Sequence, residues 1–369
     1  MMRSLALSLL LTLPLYAAPV DPVLAKTKSR IAELNKIPSA TNAYSQLQKS
    51  MLSEKPPILA EVKPLAQYLS LWPDAKTTLQ KIKESKTFAT DLAKFEKAAK
   101  RVGPALQLPY FYARPNLEQY IVPNWLGLRS YCMAQNVQGI YLVSQGKDGL
   151  ELLGNSLVSA ARISGNGPLI QQMIALNLNN GGCDSLFQVL QSRPKLPLAS
   201  LQKLQQRLQK FPLQKSAMAD SLDIEELWLF TRFQEFEPAL MAKYVAFHAK
   251  WRPKVVALEP VSGWHALYLK ERDTVAQSNY FLSEIGQIDY GIVTDFWREG
   301  LERRQLLDCM LGLEIARLQK GSYPTSIKPL ANTTYKSDGK SYTLVNTSPA
   351  WDTKGKGTDR KPTPRTFQG

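Results

Sequence analysis

The sequence predicts a mainly α-helical fold, made of antiparallel helical hairpins in a bundle or an irregular α-solenoid, with a small C-terminal β-hairpin. Three observations predict it. Apolar residues recur three and four apart through most of the 369 residues; short turns rich in Gly, Asn and Pro interrupt them; and a single stretch near the C-terminus alternates about an Asp-Gly pair. At 44% hydrophobic and 21% charged, the composition is that of globular material.

Residues 1–17 read as a secretory signal peptide. Arg3 gives the positive start, Leu5 to Leu15 the apolar run, and Tyr16-Ala17-Ala18 the small-residue exit, with the cut placed after Ala17 because Pro19 follows Ala18. The run is broken by Pro14 and falls short of the ~20 residues that span a bilayer. The expected location is outside the cytoplasm, periplasmic or extracellular, with no transmembrane span in the mature chain.

Residues 18–104 form a basic helical region. Ile31, Leu34 and Ile37, then Tyr44, Leu47 and Met51, then Ile58, Leu59, Val62, Leu65 and Leu69 mark amphipathic helices. Pro56-Pro57 precedes one start, and Trp72-Pro73-Asp74 separates two others. Two short helices with lysine-rich polar faces follow.

Residues 105–330 form the main helical domain. Leu106 to Asn116 breaks the periodicity, with Tyr110, Phe111 and Tyr112 pinning a loop onto the core. Leu126 to Ser144 is one helix, Gln145 to Asp148 a turn, and Gly149 to Ile163 the return. A second turn, Ser164 to Pro168, leads into a helix from Leu169 that is expected to stop at Asn179-Asn180-Gly181-Gly182. Leu186 to Leu190 and Leu198 to Leu208 make the next pair. From Ser216 to Lys320 the pattern stays helical, with an aromatic stripe at Trp228, Phe230, Phe233 and Phe236 and a last long helix from about Gly300 to Lys320. No strict 34-residue period recurs, so the hairpins are not a tetratricopeptide array.

Residues 331–350 carry the β-hairpin. Ser337/Lys340, Lys336/Ser341 and Tyr335/Tyr342 pair symmetrically about Asp338-Gly339, a two-residue turn. Residues 351–369, rich in Lys, Thr, Pro and Gly, read as a flexible basic tail with Trp351 as its one large anchor.

The formal net charge of +15 draws the chain toward anionic surfaces such as wall polymers or lipid headgroups. A protein partner is the other candidate. No nucleic-acid module is recognisable. Cys132, Cys183 and Cys309 are far apart in apolar helical settings, which predicts buried reduced thiols rather than a metal set or an essential bridge.

Catalytic signatures are sparse. His248 and His265 lie outside any Gly-x-Ser-x-Gly elbow or His-Glu-x-x-His spacing and read as structural. Asp223, Glu225 and Glu226 read as charge at a helix start after Ser221. Glu226, close to Trp228, is the best general-acid candidate for a glycan hydrolase, because aromatic surroundings raise a carboxyl pKa. Gly165-Asn166-Gly167 lacks the Lys-Ser/Thr of a phosphate loop and reads as a turn. No cofactor is expected.

The passage LEIARLQKGSYPTSIKPLANTTYKSDGKSYTLVNTSPAWD resembles the C-terminal segment of a group of uncharacterised exported bacterial proteins: a long helix, a Gly-x-Tyr-Pro-x-Ser turn and a small hairpin. The same turn occurs in type II secretion pseudopilins. The matching positions are Gly321, Tyr323, Pro324, Ser326 and Leu330, with Asp338-Gly339 at the hairpin. The stretch ELLGNSLVSAARISGNGPLIQQMIALNL is similar to the tandem helices of that group, and the likeness covers about half the chain. It implies an accessory role in a secretion or pilus-like system. Because pseudopilin C-terminal loops often hold calcium through acidic residues, it also marks Asp338, Asp352 and Asp359 as candidate metal ligands.

The function expected from the whole sequence is an exported cell-envelope binding or scaffold protein. An envelope glycan hydrolase and a secretion accessory are the alternatives.

Overall fold

The computed structural model describes residues 22–70, 76–109, 111, 125–165, 167–192, 195–233, 238–277, 289–348 and 365–369. The expected signal peptide, Trp72-Pro73-Asp74, Tyr110, Tyr112, Phe236, Trp351, Asp352 and Asp359 lie outside those residues, as do the side chains of Trp228, Phe230 and Phe233.

Amphipathic periodicity and local capping build the first helices: α1 (Pro22–Asn35), α2 (Ala43–Met51), α3 (Leu59–Ala66), α4 (Thr78–Glu84) and α5 (Phe88–Leu106). The Asn42 side chain accepts the Tyr44 N–H to open α2, and a reciprocal Thr77/Gln80 capping box opens α4. On α5 the buried residues Phe88, Asp91, Phe95, Ala98, Val102 and Leu106 recur at three and four, leaving the opposite face to lysines.

Three hairpin-connected helices follow: α6 (Leu126–Ser144), α7 (Leu150–Ile163) and α8 (Leu169–Gln191), then α9 (Leu198–Lys210). The turns are those expected, with Gly146 at φ 72° and Gly165 at φ 73° in the left-handed region. The expected stop at Asn179-Asn180-Gly181-Gly182 is not a stop: α8 runs straight through it. The reason is packing. A Cβ on Gly182 would stand 2.5 Å from Ser156 Oγ of α7, so the glycine lets the two helices close on each other, while Asn179 Nδ2 donates to a backbone oxygen of the last helix. Tertiary contact overrides the local stop signal.

The remaining helices are α10 (Ala217–Phe233), α11 (Pro238–Ala257), α12 (His265–Gln277) and α13 (Tyr290–Lys320). α13 begins ten residues before Gly300, at an Asp289 cap that accepts the Gly291 and Ile292 N–H groups. Gly300 is not a start but a contact with Leu176 of α8. The helix ends at Gly321, φ 78°, as expected.

Among the described residues two large hydrophobic cores result, with a small third cluster of Ile31, Ile224 and Leu227 between α1 and α10. The first draws on residues 43–106, 125–208 and 306–367, so the residues on either side of position 104 share one interior. The second is aromatic: Trp251 lies 5.7 Å from Trp264 and 5.6 Å edge-on from Tyr268, and Tyr268 stacks on Tyr290 at 5.4 Å. α13 belongs to both, through Trp297 at one end and Leu306 to Ile315 at the other.

The C-terminal sheet is antiparallel in the order β1 (Thr333–Ser337), β2 (Tyr342–Asn346), β3 (Arg365–Gln368). The expected two-residue turn is corrected to a four-residue loop. Ser337 pairs with Tyr342 and Tyr335 with Leu344, because the Asp338 carboxylate accepts the N–H groups of Lys340 and Ser341 and folds the loop around itself. The tail was expected to be flexible to its end, yet residues 365–369 are ordered as β3 and its extension. Phe367 packs fully buried against Phe187 of α8, 4.8 Å between rings, and the Gly369 backbone bonds to Tyr342.

Cys132, Cys183 and Cys309 are unpaired thiols, the first two buried, and burial pushes both of those up to about 12. No helix among the described residues is long and apolar enough to cross a membrane.

Close helix approach makes one glycine decisive. A Cβ on Gly127 at the start of α6 would sit 2.2 Å from the Met51 carbonyl oxygen, a backbone atom that cannot swing away. Gly127→Ala is expected to cost about 1–3 kcal/mol. Gly181→Ala, where a Cβ meets nothing within 4 Å, is expected to be neutral or stabilising by up to ~1 kcal/mol through helix propensity. Urea midpoints of the two variants check both outcomes.

Candidate functional site

The sequence points to α10, and the structure shows why its carboxylates cluster. The helix opens at Ala217, five residues earlier than the start inferred after Ser221, so Asp223, Glu225 and Glu226 lie in its middle and are not helix-start charges. Each reaches a different neighbour. Asp220 pairs with Arg30 of α1 at 2.5 Å, and Asp223 with Arg252 of α11 at 2.8 Å. Glu225 Oε2 accepts the Leu169 N–H at the start of α8, at 3.3 Å. Glu226 Oε2 lies 3.2 Å from His248 Nδ1 of α11. Beside them Gln172 Oε1 accepts from the Gly165 N–H and the Ser221 hydroxyl.

This arrangement stitches α10 to α1, α8 and α11. Glu226, the general-acid candidate, is buried with its carboxylate against a fully buried histidine whose ring meets Tyr290 edge-on at 5.8 Å. The carboxyl that burial pushes up, to about 7, is its neighbour Glu225. α10 turns Glu225 toward the start of α8, where it is buried against the Leu169 N–H.

His265 is held from both sides. Its Nε2 lies 2.7 Å from Asp289 Oδ1, its ring stacks on Tyr268 at 6.2 Å, and Gly291 leaves it room. Each histidine thus lies against a carboxylate within the helical packing, His248 against Glu226 and His265 against Asp289.

A charged group that the sequence did not reveal lies between α8 and α13. Arg303 donates to Glu299 Oε1 from Nε at 2.9 Å and from Nη2 at 2.6 Å, and its Nη1 donates to Asp184. All three are buried. Burial alone lowers a guanidinium pKa, and the two carboxylates more than reverse that, leaving Arg303 above its ordinary value.

Of the candidate metal ligands only Asp338 is among the described residues. Its carboxylate is occupied by the Lys340 and Ser341 N–H groups and the Ser341 hydroxyl, and the backbone donors hold its pKa below the usual range. Among the described residues no three His, Cys, Asp or Glu side chains converge to hold a metal ion.

The clearest surface feature is a basic face on α4 and α5. Lys83, Lys86, Lys94, Lys97 and Lys100 are exposed and make no ion pair among the described residues. Nearby carboxylates are committed elsewhere: Glu84 to Lys76, Glu61 to Arg101, Glu96 to Gln138, and Asp91 to the hydroxyls of Tyr68 and Thr87. A row in which exposed lysines outnumber the interspersed carboxylates Glu84 and Glu96 is suited to a polyanionic surface.

No protein-family model, no curated protein and no solved structure matches the chain.

Proposed function

We propose that this protein is a non-enzymatic binding or scaffold protein of the cell envelope, which engages anionic wall or membrane surfaces through the lysine face of α4 and α5. The observation that carries the reading is the run Lys83 on α4, Lys86 in the connector, and Lys94, Lys97 and Lys100 on α5, exposed without ion-pair partners among the described residues, with the other faces of both helices buried. Packing of α5 against α2 and α3 holds Lys94, Lys97 and Lys100 on one helix that is anchored to the core. The buried setting of Glu226 favours binding over the hydrolase alternative, since a general acid must reach a glycosidic oxygen.

The test is co-sedimentation of the purified chain with isolated wall and membrane fractions across a salt series. Binding is expected at low salt and reversed as ionic strength rises. The K83Q/K94Q/K97Q variant is expected to bind on the order of 100-fold more weakly, since each lysine close to an anionic surface contributes about a factor of five. Binding that ignores both salt and the triple substitution removes the proposal. Binding to one fraction alone decides between wall polymer and lipid.

A further inference from the structure

The strand β3 covers part of the first core with one side chain and one backbone edge. Its Phe367 ring is fully buried, lies 4.8 Å from the Phe187 ring of α8 and stands opposite Leu344 in the strand pair. Phe187 and Leu344 are themselves fully buried, so β3 cannot leave its place without another strand taking it, or apolar surface and one edge of β2 go uncovered. We propose that the groove between β2 and α8 also accepts residues 365–369 of a second copy of this chain, so that two molecules pair by exchanging β3.

The connection is the first argument. β2 and β3 are antiparallel neighbours in the sheet, yet β2 ends at Asn346 and β3 begins at Arg365. Such neighbours need as few as two residues between them. A connection of roughly 18 residues reaches up to ~60 Å. That length lets β3 lie on a neighbouring molecule, where it makes the same contacts with β2 and α8 that it makes on its own chain.

The groove also selects the segment that fits it. The third position places an aromatic ring beside Phe187. The fifth admits no side chain, because a Cβ on Gly369 would stand 2.0 Å from the buried Tyr342 ring, while the Gly369 backbone exchanges hydrogen bonds with Tyr342 at 2.9 and 3.2 Å. Of the 12 phenylalanines in the chain, only Phe367 has a glycine two residues later. A second copy therefore brings the one phenylalanine-anchored segment of this sequence that meets both conditions.

Backbone alternation supplies a probe. Because Tyr342 and Gly369 form a hydrogen-bonded pair, Val345 and Thr366 face each other as a non-hydrogen-bonded pair, with Cα atoms ~4.5 Å apart. A disulfide bridges that distance, and Thr366 is exposed.

The test uses the full chain in two forms, V345C and T366C, neither of which can form this bridge within itself. They are mixed, unfolded in urea, refolded together at ~1 μM and at ~1 mM, below and near the effective concentration of a tethered segment, then oxidised and run on a denaturing gel. The expected result is a covalent heterodimer that grows with refolding concentration and far exceeds the homodimers of either form refolded alone. Adding F367A to the T366C chain is expected to lower its yield about tenfold, since the ring supplies the buried apolar area. Adding G369A instead keeps the ring and is expected to lower the yield through the Tyr342 clash, so it reports even if F367A fails to fold. A mixture no richer in covalent dimer than the separate forms overturns the proposal, as does a heterodimer that ignores both substitutions. A dimer in solution that never cross-links is built through another surface and also overturns it. The K83Q/K94Q/K97Q variant is expected to exchange β3 as the parent does, so this pairing stands or falls independently of envelope binding.

Discussion

Replacing Arg303 by methionine is expected to destabilise the fold by about 3–5 kcal/mol at pH 7, the range for a buried ion group broken from one side. Arg303 is 5% exposed, and Asp184 and Glu299 are 2% each. One guanidinium thus bridges two carboxylates in the α8/α13 interface, and Glu299 Oε2 has no hydrogen bond among the described residues. Methionine keeps the length of the stem and removes the charge, leaving two anions facing each other away from water. In the variant their folded pKa values must rise above the unfolded ones. The damage is therefore largest at neutral pH and shrinks as pH falls and the carboxyls protonate. Urea unfolding followed by tryptophan fluorescence at pH 7 and pH 4.5 reads both effects. A variant within ~0.5 kcal/mol of the parent at pH 7 would show that the group contributes nothing net.

The second large effect belongs to Glu225. Burial pushes its carboxyl from the ordinary 4.5 up to about 7 in the folded chain, outweighing the Leu169 N–H that favours the anion. The folded state binds the proton more tightly, so by linkage the native protein is most stable below the unfolded pKa and loses that contribution as pH rises toward and through 7. The difference corresponds to about 3 kcal/mol. Glu225→Gln is neutral at every pH and still offers an oxygen to the Leu169 N–H. It is expected to match the parent near pH 4.5, to exceed it by about 2–3 kcal/mol at pH 8, and to flatten the slope between. Urea midpoints at intervals from pH 4.5 to 8 supply the comparison. Parallel slopes for the two proteins would mean that Glu225 does not govern the neutral-pH behaviour.

The sequence carried the helices but not their partners. The α6/α7 hairpin was legible because Gln145 to Asp148 forms its turn from local chemistry, and Gly321 with Pro324 marked the end of α13 for the same reason. Asn179 to Gly182 misled because the same residues that end a helix locally also let a second helix approach, and only the position of Ser156 on α7 decides between them. The hairpin was placed correctly but two residues out of pairing register, which preserves the faces of its side chains; the Asp338 side chain, not a backbone preference, chose the longer loop. Phe367 was missed because a short strand in a basic tail has no periodicity of its own and gains its place from Phe187.

The site shows the same division. The acidic stretch of α10 and the lysines of α4 and α5 were visible as composition. Glu225 could be separated from Glu226 only by the rotation of α10 against α8. Arg303 meets Asp184 across 119 positions, and Arg162 on α7 feels the charge of Arg207 on α9 across the intervening α8. A single sequence has no pattern that announces such meetings.

α13 runs unbroken from the aromatic core at Tyr290 and Trp297 to the aliphatic one at Met310 and Leu311. Thirty-one residues at 1.5 Å each give a rod of roughly 46 Å. Fraying one end strips apolar neighbours from one interior, and the continuous hydrogen-bond ladder carries that loss toward the other. The helix is a shared beam, and it ties the melting of the two interiors into a single cooperative event.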